Sequence, residues 1–371
     1  MQRSQHLAKA LVKRGHVCLY INPHLGLEYP TPPLCSPRSR VSSLSPGILE
    51  LHIHLPAEHG VTSRALHPSE VKQVVHAVGS LMNELELKRA VQIVSLPSWL
   101  DVVATLRNEY GFPIIYDCHD YLPGFHRLAP EIIEAEPFLL HSCDQVIFSA
   151  QYLMDLQTEK APAVTSKALL LRNASDPRHF VAQREPRKPR ERRRIGYIGS
   201  LDHWLDLELL EAVVAVNRHF DFVLAGRMED SRLLQLRRFP NVELTGEIPY
   251  SSIPAFLQNC DVGIIPFCRT PLTLSANPIK MYEYFSAGLP VVSTRLPEVE
   301  LYRELVYVAD TATQFGKHLE RAVHERDAGL REQRIATAER ETWENRATAF
   351  LDYLDLCPFF KSRSSDVMTS R

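Results

Sequence analysis

Short apolar runs alternate with longer amphipathic segments along nearly the whole chain. In the first half the runs predict strands at 16–21, 51–55, 91–96, 112–116 and 145–148, with helices over 68–87 and 99–110 between them. Strand, crossover helix, strand is the order that builds a mostly parallel sheet covered on both faces. The alternation pauses at 183–194, QREPRKPRERRR, a polar, Pro-broken and basic stretch that reads as a solvated connection in preference to a phosphate patch. It then restarts with strands at 195–199, 220–226, 242–248, 261–267 and 290–294, helices at 206–217, 253–258 and 278–287, and a helical C-terminus. From about Cys357 the ending SRSSDVMTSR reads as frayed. The expected organisation is α/β, with Rossmann-like domains at 1–182 and 195–345, a linker at 183–194, and a C-terminal helix and tail at 346–371. A cleft between two such units is where a ligand is expected.

Length agrees, since 371 residues suit two domains of roughly 150–200 residues each. Lys plus Arg number 42 against 44 Asp plus Glu, which argues against a nucleic-acid partner, whose binders carry a basic excess. Seven scattered cysteines without a C-x-x-C support neither a disulfide framework nor a structural zinc site. With no apolar run near the roughly 18–20 residues that span a bilayer and no signal-like N-terminus, a cytoplasmic protein is expected.

The most informative stretch runs from Asn277 to Thr294, NPIKMYEYFSAGLPVVST. Asn277 is a suitable N-cap, Pro278 fits the first helical position, Gly288 suits the position after the C-cap, and Pro290 stops the helix before a strand. The helix start presents unpaired N–H groups and a positive dipole end, an anion site that suits a diphosphate. Ile279, Tyr282 and Phe285 share one stripe and should pack inward, while Lys280, Glu283 and Ala287 share another. Lys280 is placed to neutralise phosphate, and Glu283 to accept hydrogen bonds from a ribose diol. An ordinary surface ion pair is the plainer reading of the same spacing.

That motif, Asn277-Pro-x-Lys-x-x-Glu-Tyr-x-x-Ala-Gly-x-Pro-Val-Val292, resembles the nucleotide-sugar motif of GT-B glycosyltransferases of the family-4 type. Three further segments resemble that family in order and place: 196–210, like the opening of its C-terminal domain; 244–264, like the stretch whose backbone meets the nucleobase; and Asn173-Ala-Ser-Asp176, like its Asn-Gly-Val-Asp. The likeness points to the bacterial subgroup that builds surface polysaccharides. It implies two Rossmann-like domains facing across a cleft, with the donor on the C-terminal one. Glu283 would bind ribose; Lys280, the helix start at Asn277 and the Gly199-Ser200 turn would hold the diphosphate; Glu247 and Ile248 would meet the base; and Arg227 would add charge. In the N-terminal half, His119 and Asp120, in Tyr116-Asp-Cys-His-Asp120, would orient the acceptor. The implied reaction is transfer from a nucleotide diphosphate sugar to a saccharide or lipid-linked acceptor, with retention, without a metal and without a cofactor. A lipid-linked acceptor would require peripheral contact with the inner face of the plasma membrane.

Three positions depart from the family pattern. Ser275 stands where many relatives carry a glutamate, eight residues before Glu283. Ser200 and Asp206 stand near the usual Arg and Lys, with Trp204 and Asp206 as substitutes. The chain opens on MQRSQHLAKAL, like the family's first helix, so the preceding strand is expected to be missing and its sheet neighbours to expose apolar surface and unpaired backbone. Alternative readings are a nucleotide-sugar epimerase of the same plan, for which no convincing proton-transfer carboxylates are identified, and a catalytically idle sugar-nucleotide-binding protein. His52 and His54 on one strand face are a weak metal pair lacking a third ligand, and the Pro-rich segment 29–37 reads as an irregular loop.

Overall fold

A computed structural model describes residues 2–21, 39–53, 55, 62–87, 89–183 and 191–357. The chain divides into two compact units, Gln2–Leu171 with Ala347–Arg371, and Arg172–Arg346. Among the described residues no helix is long and apolar enough to cross a membrane.

The first unit opens with α1 (Arg3–Val12) and β1 (Cys18–Ile21), followed by β2 (Ser39–Ser45) and β3 (Ile48–Ile53). Then come α2 (Pro68–Glu84), β4 (Gln92–Val94), α3 (Leu100–Tyr110), β5 (Ile114–Cys118), α4 (Pro130–Ser142), β6 (Gln145–Phe148), α5 (Gln151–Lys160) and β7 (Ala168–Leu170). Its strands form two sheets, β1-β3-β2 and β4-β5-β6-β7. All pairs are parallel except β2 with β3, an antiparallel hairpin turned at Gly47, whose φ of +79° favours glycine. Serine-rich β2 lacks the apolar alternation that marks a strand, which is why the pattern did not predict it. Val91 beside β4 and Ile93 within it are 42% and 39% exposed, and all four residues of β1 are half-buried. The Pro-rich segment 29–37, His54, most of the linker and the tail after Cys357 lie outside the described residues.

The second unit contains β8 (Arg193–Ile198), α6 (Leu207–Val216), β9 (Phe220–Ala225), β10 (Val242–Gly246), α7 (Ile253–Gln258), β11 (Val262–Ile265) and α8 (Pro271–Leu274). After these come α9 (Ile279–Ser286), β12 (Val291–Thr294), α10 (Pro297–Glu300), β13 (Val306–Ala309), α11 (Ala312–Val323), α12 (Ala328–Arg340) and the first turn of α13 (Trp343–Leu356). Its six strands form one parallel sheet in the order β10-β9-β8-β11-β12-β13.

Two contacts explain why the division falls at 171/172 and not, as expected, after 182. Arg172 Nε donates to Glu298 Oε2 at 2.7 Å, and the Asn173 backbone N–H donates to Asn277 Oδ1 at 2.9 Å. Residues 172–180 are thereby tied into the second unit, where Phe180 joins the core. From Ala347 onward α13 belongs to the first unit, and its Tyr353 hydroxyl bonds the Gln145 side chain there. At the end of the basic stretch Arg192, Arg193 and Arg194 pair with Asp221, Asp261 and Glu243, so this part of it is neutralised by its own sheet.

Candidate functional site

In the sheet of the second unit β8, β9 and β10 are ordered outward in one direction and β11, β12 and β13 in the other. The point where strand order reverses, at the carboxyl ends of β8 and β11, is where α/β sheets open a crevice for ligands. Gly199 follows β8 with φ +130°, and Gly226 follows β9. A Cβ on Gly226 would stand 1.8 Å from the Gly199 carbonyl oxygen, so only glycine lets the two turns approach this closely. Hydrogen bonds from Gly199 N to Ala225 O (2.9 Å), from Leu201 N to Arg227 O (2.9 Å) and from the Tyr197 hydroxyl to Ser200 O (3.0 Å) fix the turn.

Helix α9 feeds this point. It ends as expected on Gly288 in the left-handed conformation, with Gly288 N donating to Phe285 O and Leu289 N to Tyr284 O at 2.9 Å each. Its start differs from expectation. Pro278 occupies the cap position and no side chain caps the helix, because Asn277 is engaged elsewhere. Asn277 is 4% exposed; its Oδ1 accepts from Asn173 N, and its Nδ2 donates to Glu298 Oε2 (2.8 Å) and the Tyr282 hydroxyl (3.2 Å). Its amide is therefore engaged as a structural clip.

The single inward stripe also proves wider than the spacing implied: Met281, Tyr282, Tyr284 and Phe285 are all 0% exposed. A helix apolar on most sides sits inside its domain. Each such side chain contributes about 1.5–3 kcal/mol of burial, so α9 is fixed against rotation and its polar residues have fixed places.

Those residues are Lys280 and Glu283. The Lys280 ammonium lies 4.7 Å from the centre of the Phe267 ring and 5.1 Å from that of Tyr197. A Cβ on Gly199 would be only 3.2 Å from its Nζ, so the cation rests against the glycine turn. Glu283, one turn deeper, is 6% exposed. Neither side chain has a hydrogen bond or ion pair among the described residues. Burial lowers the Lys280 ammonium to about 8 against a partial offset from Glu283, and burial raises the Glu283 carboxyl to about 7. Among the described residues these are two desolvated groups of opposite sign, three residues apart and unpaired, which can interact with a ligand carrying both anionic and hydroxyl groups.

The other expected residues are placed as follows. Ser200 is half-buried in the turn, Glu247 is exposed beyond β10, and Ile248 is half-buried against the core. Arg227 is exposed, with its guanidinium paired to Glu229, while its carbonyl anchors the Gly199–Leu201 turn. Asp206 is the N-cap of α6, accepting from Leu209 N at 2.9 Å, so its role is structural. The Ser275 hydroxyl is buried with no hydrogen-bond partner among the described residues.

Within the first unit, His119 follows β5. Its Nδ1 stands 3.0 Å from the Asp117 carbonyl, its Nε2 3.4 Å from Asp120 Oδ2, and its side chain is 29% exposed. His52 pairs with Glu50 at 2.9 Å, and among the described residues no group of three or more His, Cys, Asp or Glu is arranged to hold a metal ion.

Two residues escaped the sequence reading: Phe267 and Tyr197, which wall Lys280. Both sit in strand-like apolar runs and read as core; the available signal was the position of Tyr197 just inside the carboxyl end of β8 and of Phe267 just beyond that of β11.

The chain is similar to known glycosyltransferases in part of its sequence and in its fold. Residues 192–325 match the family model described as glycosyl transferases group 1. Over 212 residues the chain is 27% identical to TuaH, a glycosyltransferase of Bacillus subtilis (strain 168) assigned to teichuronic acid biosynthesis; the match covers 52% of this chain and 53% of the relative, about half the length of each. The fold is similar to sucrose-phosphate synthase from Thermosynechococcus elongatus (TM-score 0.69, 14% identity, 94% of this chain and 91% of that one). It is also similar to a UDP-forming trehalose-phosphate synthase from Burkholderia vietnamiensis (TM-score 0.66, 13% identity, 99% and 96%). A third likeness is to Anabaena HepE, solved with UDP and glucose (TM-score 0.61, 14% identity, 77% and 81%). The architecture is thus of the GT-B glycosyltransferase type, as the motif resemblance implied.

Proposed function

We propose that the protein is a glycosyltransferase that moves a sugar from a nucleotide diphosphate sugar to a saccharide or lipid-linked acceptor, with retention, in the assembly of bacterial surface polysaccharide. The observation that carries the reading is the unpaired Lys280 ammonium, walled by Tyr197 and Phe267 against the Gly199 turn, with Glu283 one helical turn away.

As the bond between the sugar and the diphosphate breaks, the sugar gains positive charge and the departing diphosphate gains negative charge. Lys280 and the first-turn N–H groups of α9 stabilise that growing charge. They act in surroundings that hold little water, where such an interaction is worth more than in bulk solvent. Glu283 accepts hydrogen bonds from the ribose hydroxyls and fixes the nucleotide. Glu247 and Ile248 offer backbone groups to the base, and Arg227 adds a cation from the end of β9. His119 and Asp120 orient the acceptor hydroxyl. The polysaccharide setting draws on the Bacillus relative, and peripheral contact with a membrane belongs to the lipid-linked form of the acceptor.

The test is calorimetric titration with UDP, GDP and ADP, then incubation with the matching sugar nucleotides without acceptor. Slow release of the nucleoside diphosphate supports a transferase. An altered but intact sugar nucleotide would favour an epimerase, and binding without turnover an idle protein. Lys280→Met should weaken nucleotide binding by about 30-fold or more, the loss of a charge-assisted contact to a diphosphate; unchanged affinity would refute the site.

A further inference from the structure

The Arg3 guanidinium and the Asp117 carboxylate form a buried ion pair in the first unit, with Nε 2.9 Å from Oδ1 and 3.1 Å from Oδ2 and side chains 3% and 1% exposed. Such a pair is a weak source of stability, because desolvating two charges offsets most of their attraction. Its location suggests a different use. Asp117 lies at the carboxyl end of β5, two residues before His119. The His119 Nδ1 donates to the Asp117 carbonyl at 3.0 Å, while Asp117 Oδ2 stands 3.9 Å from the same nitrogen. On the far side of the ring, Asp120 Oδ2 is 3.4 Å from Nε2, and the Ser149 hydroxyl donates to the His119 carbonyl at 2.8 Å. Among the described residues the charged groups around this imidazole are Arg3, Asp117 and Asp120.

We propose that Arg3 is a positioning residue for His119. By holding and neutralising the Asp117 carboxylate, it keeps that group off the ring. The Nδ1 proton then stays on the Asp117 carbonyl, and Nε2 is turned toward Asp120 and the substrate hydroxyl. This rests on the reading of His119 as the residue that orients the acceptor.

With Arg3 removed, the buried carboxylate is left without a counter-charge and competes for the Nδ1 proton. It then favours a ring protonated on both nitrogens. The test is nitrogen NMR of the full-length protein labelled at histidine, with His119 assigned by its loss in His119→Gln. In Arg3→Met the ratio of doubly to singly protonated His119 at neutral pH should rise about tenfold, as a carboxylate about 4 Å away produces near a protein surface. Adding Asp117→Asn to Arg3→Met should return the native signals, and Arg3→Lys, which keeps a cation, should retain them. A purely structural arginine would lower stability without moving the His119 signals, and that result overturns the proposal. Should Arg3→Met fail to fold, Arg3→Gln, which can still donate to Asp117, gives the same reading. Full turnover in His119→Gln would overturn the role of His119 itself, a failure separate from unmoved ring signals.

Discussion

Replacing Glu283 by Gln keeps the side-chain shape and removes only the ability to ionise. In the native protein the carboxyl stands at about 7 against an ordinary 4.5, with burial as the main cause and the Lys280 charge opposing it. A raised acid favours the folded state while protonated. Its contribution is whole below 4.5 and is lost as pH climbs to about 7, a loss of about 3 kcal/mol. Between about pH 5.5 and about pH 8.5 roughly 2 kcal/mol of it disappears. Glutamine does not titrate, so Glu283→Gln should gain about 2 kcal/mol on the native protein across that interval, somewhat more once Lys280, without its partner's attraction, sheds its proton at lower pH. Urea unfolding followed by circular dichroism at the two pH values reads this directly. In the same variant UDP affinity should fall about tenfold or more, since a neutral amide replaces a charged acceptor for the ribose hydroxyls. A stability difference that does not grow with pH would refute a buried, unpaired Glu283. Growth with undiminished UDP affinity would separate the carboxylate from the ligand. Lys280 has the opposite sign: lowered to about 8 from 10.5, it returns stability only as pH rises across that interval.

Three other perturbations bear on the site. Gly226→Ala places a Cβ 1.8 Å from the Gly199 carbonyl, so the turn must move; UDP affinity should drop at least about tenfold and the urea midpoint should fall, and wild-type binding would refute the close approach. Asn277→Ala leaves the Glu298 carboxylate, 1% exposed, with one fewer donor and removes the acceptor of the Asn173 backbone N–H. It should lower unfolding free energy by about 3 kcal/mol, and a loss under about 1 kcal/mol would contradict the clip. Asp206→Ala should lower stability by about 1 kcal/mol through loss of the α6 cap, with UDP affinity unchanged; weakened binding would restore Asp206 to the site.

What could be read from the sequence follows from where the chemistry is local. The strand at 145–148 and the helix at 253–258 coincide with β6 and α7 because period and boundary residues agree there. Gly288 ends α9 as predicted, since a left-handed residue after a helix nearly demands glycine. Lys280 and Glu283 were legible because a helix fixes neighbours three apart, whatever else the chain does. Asn277 misled for the opposite reason. An Asn before a helical Pro looks like a cap, but Asn173, Tyr282 and Glu298, reaching it from 104, 5 and 21 residues away, outcompete the helix amides for its side chain. The aromatic walls of Lys280 and the Arg3–Asp117 pair are long-range in the same way. They depend on sheet order and on a helix packing near a strand end, which no local window contains. The β2–β3 hairpin stayed hidden because its serines carry no apolar rhythm.

Among the described residues, seven strands split into two sheets give the first unit four flanking strands, β1, β2, β4 and β7, whereas six strands in a single sheet give the second unit only β10 and β13. Main-chain groups along a flank trade protons with solvent at little cost, so deuterium should enter the first unit sooner and rising urea should open it earlier. The second unit would then outlast the first, and melting would proceed in two stages in place of one.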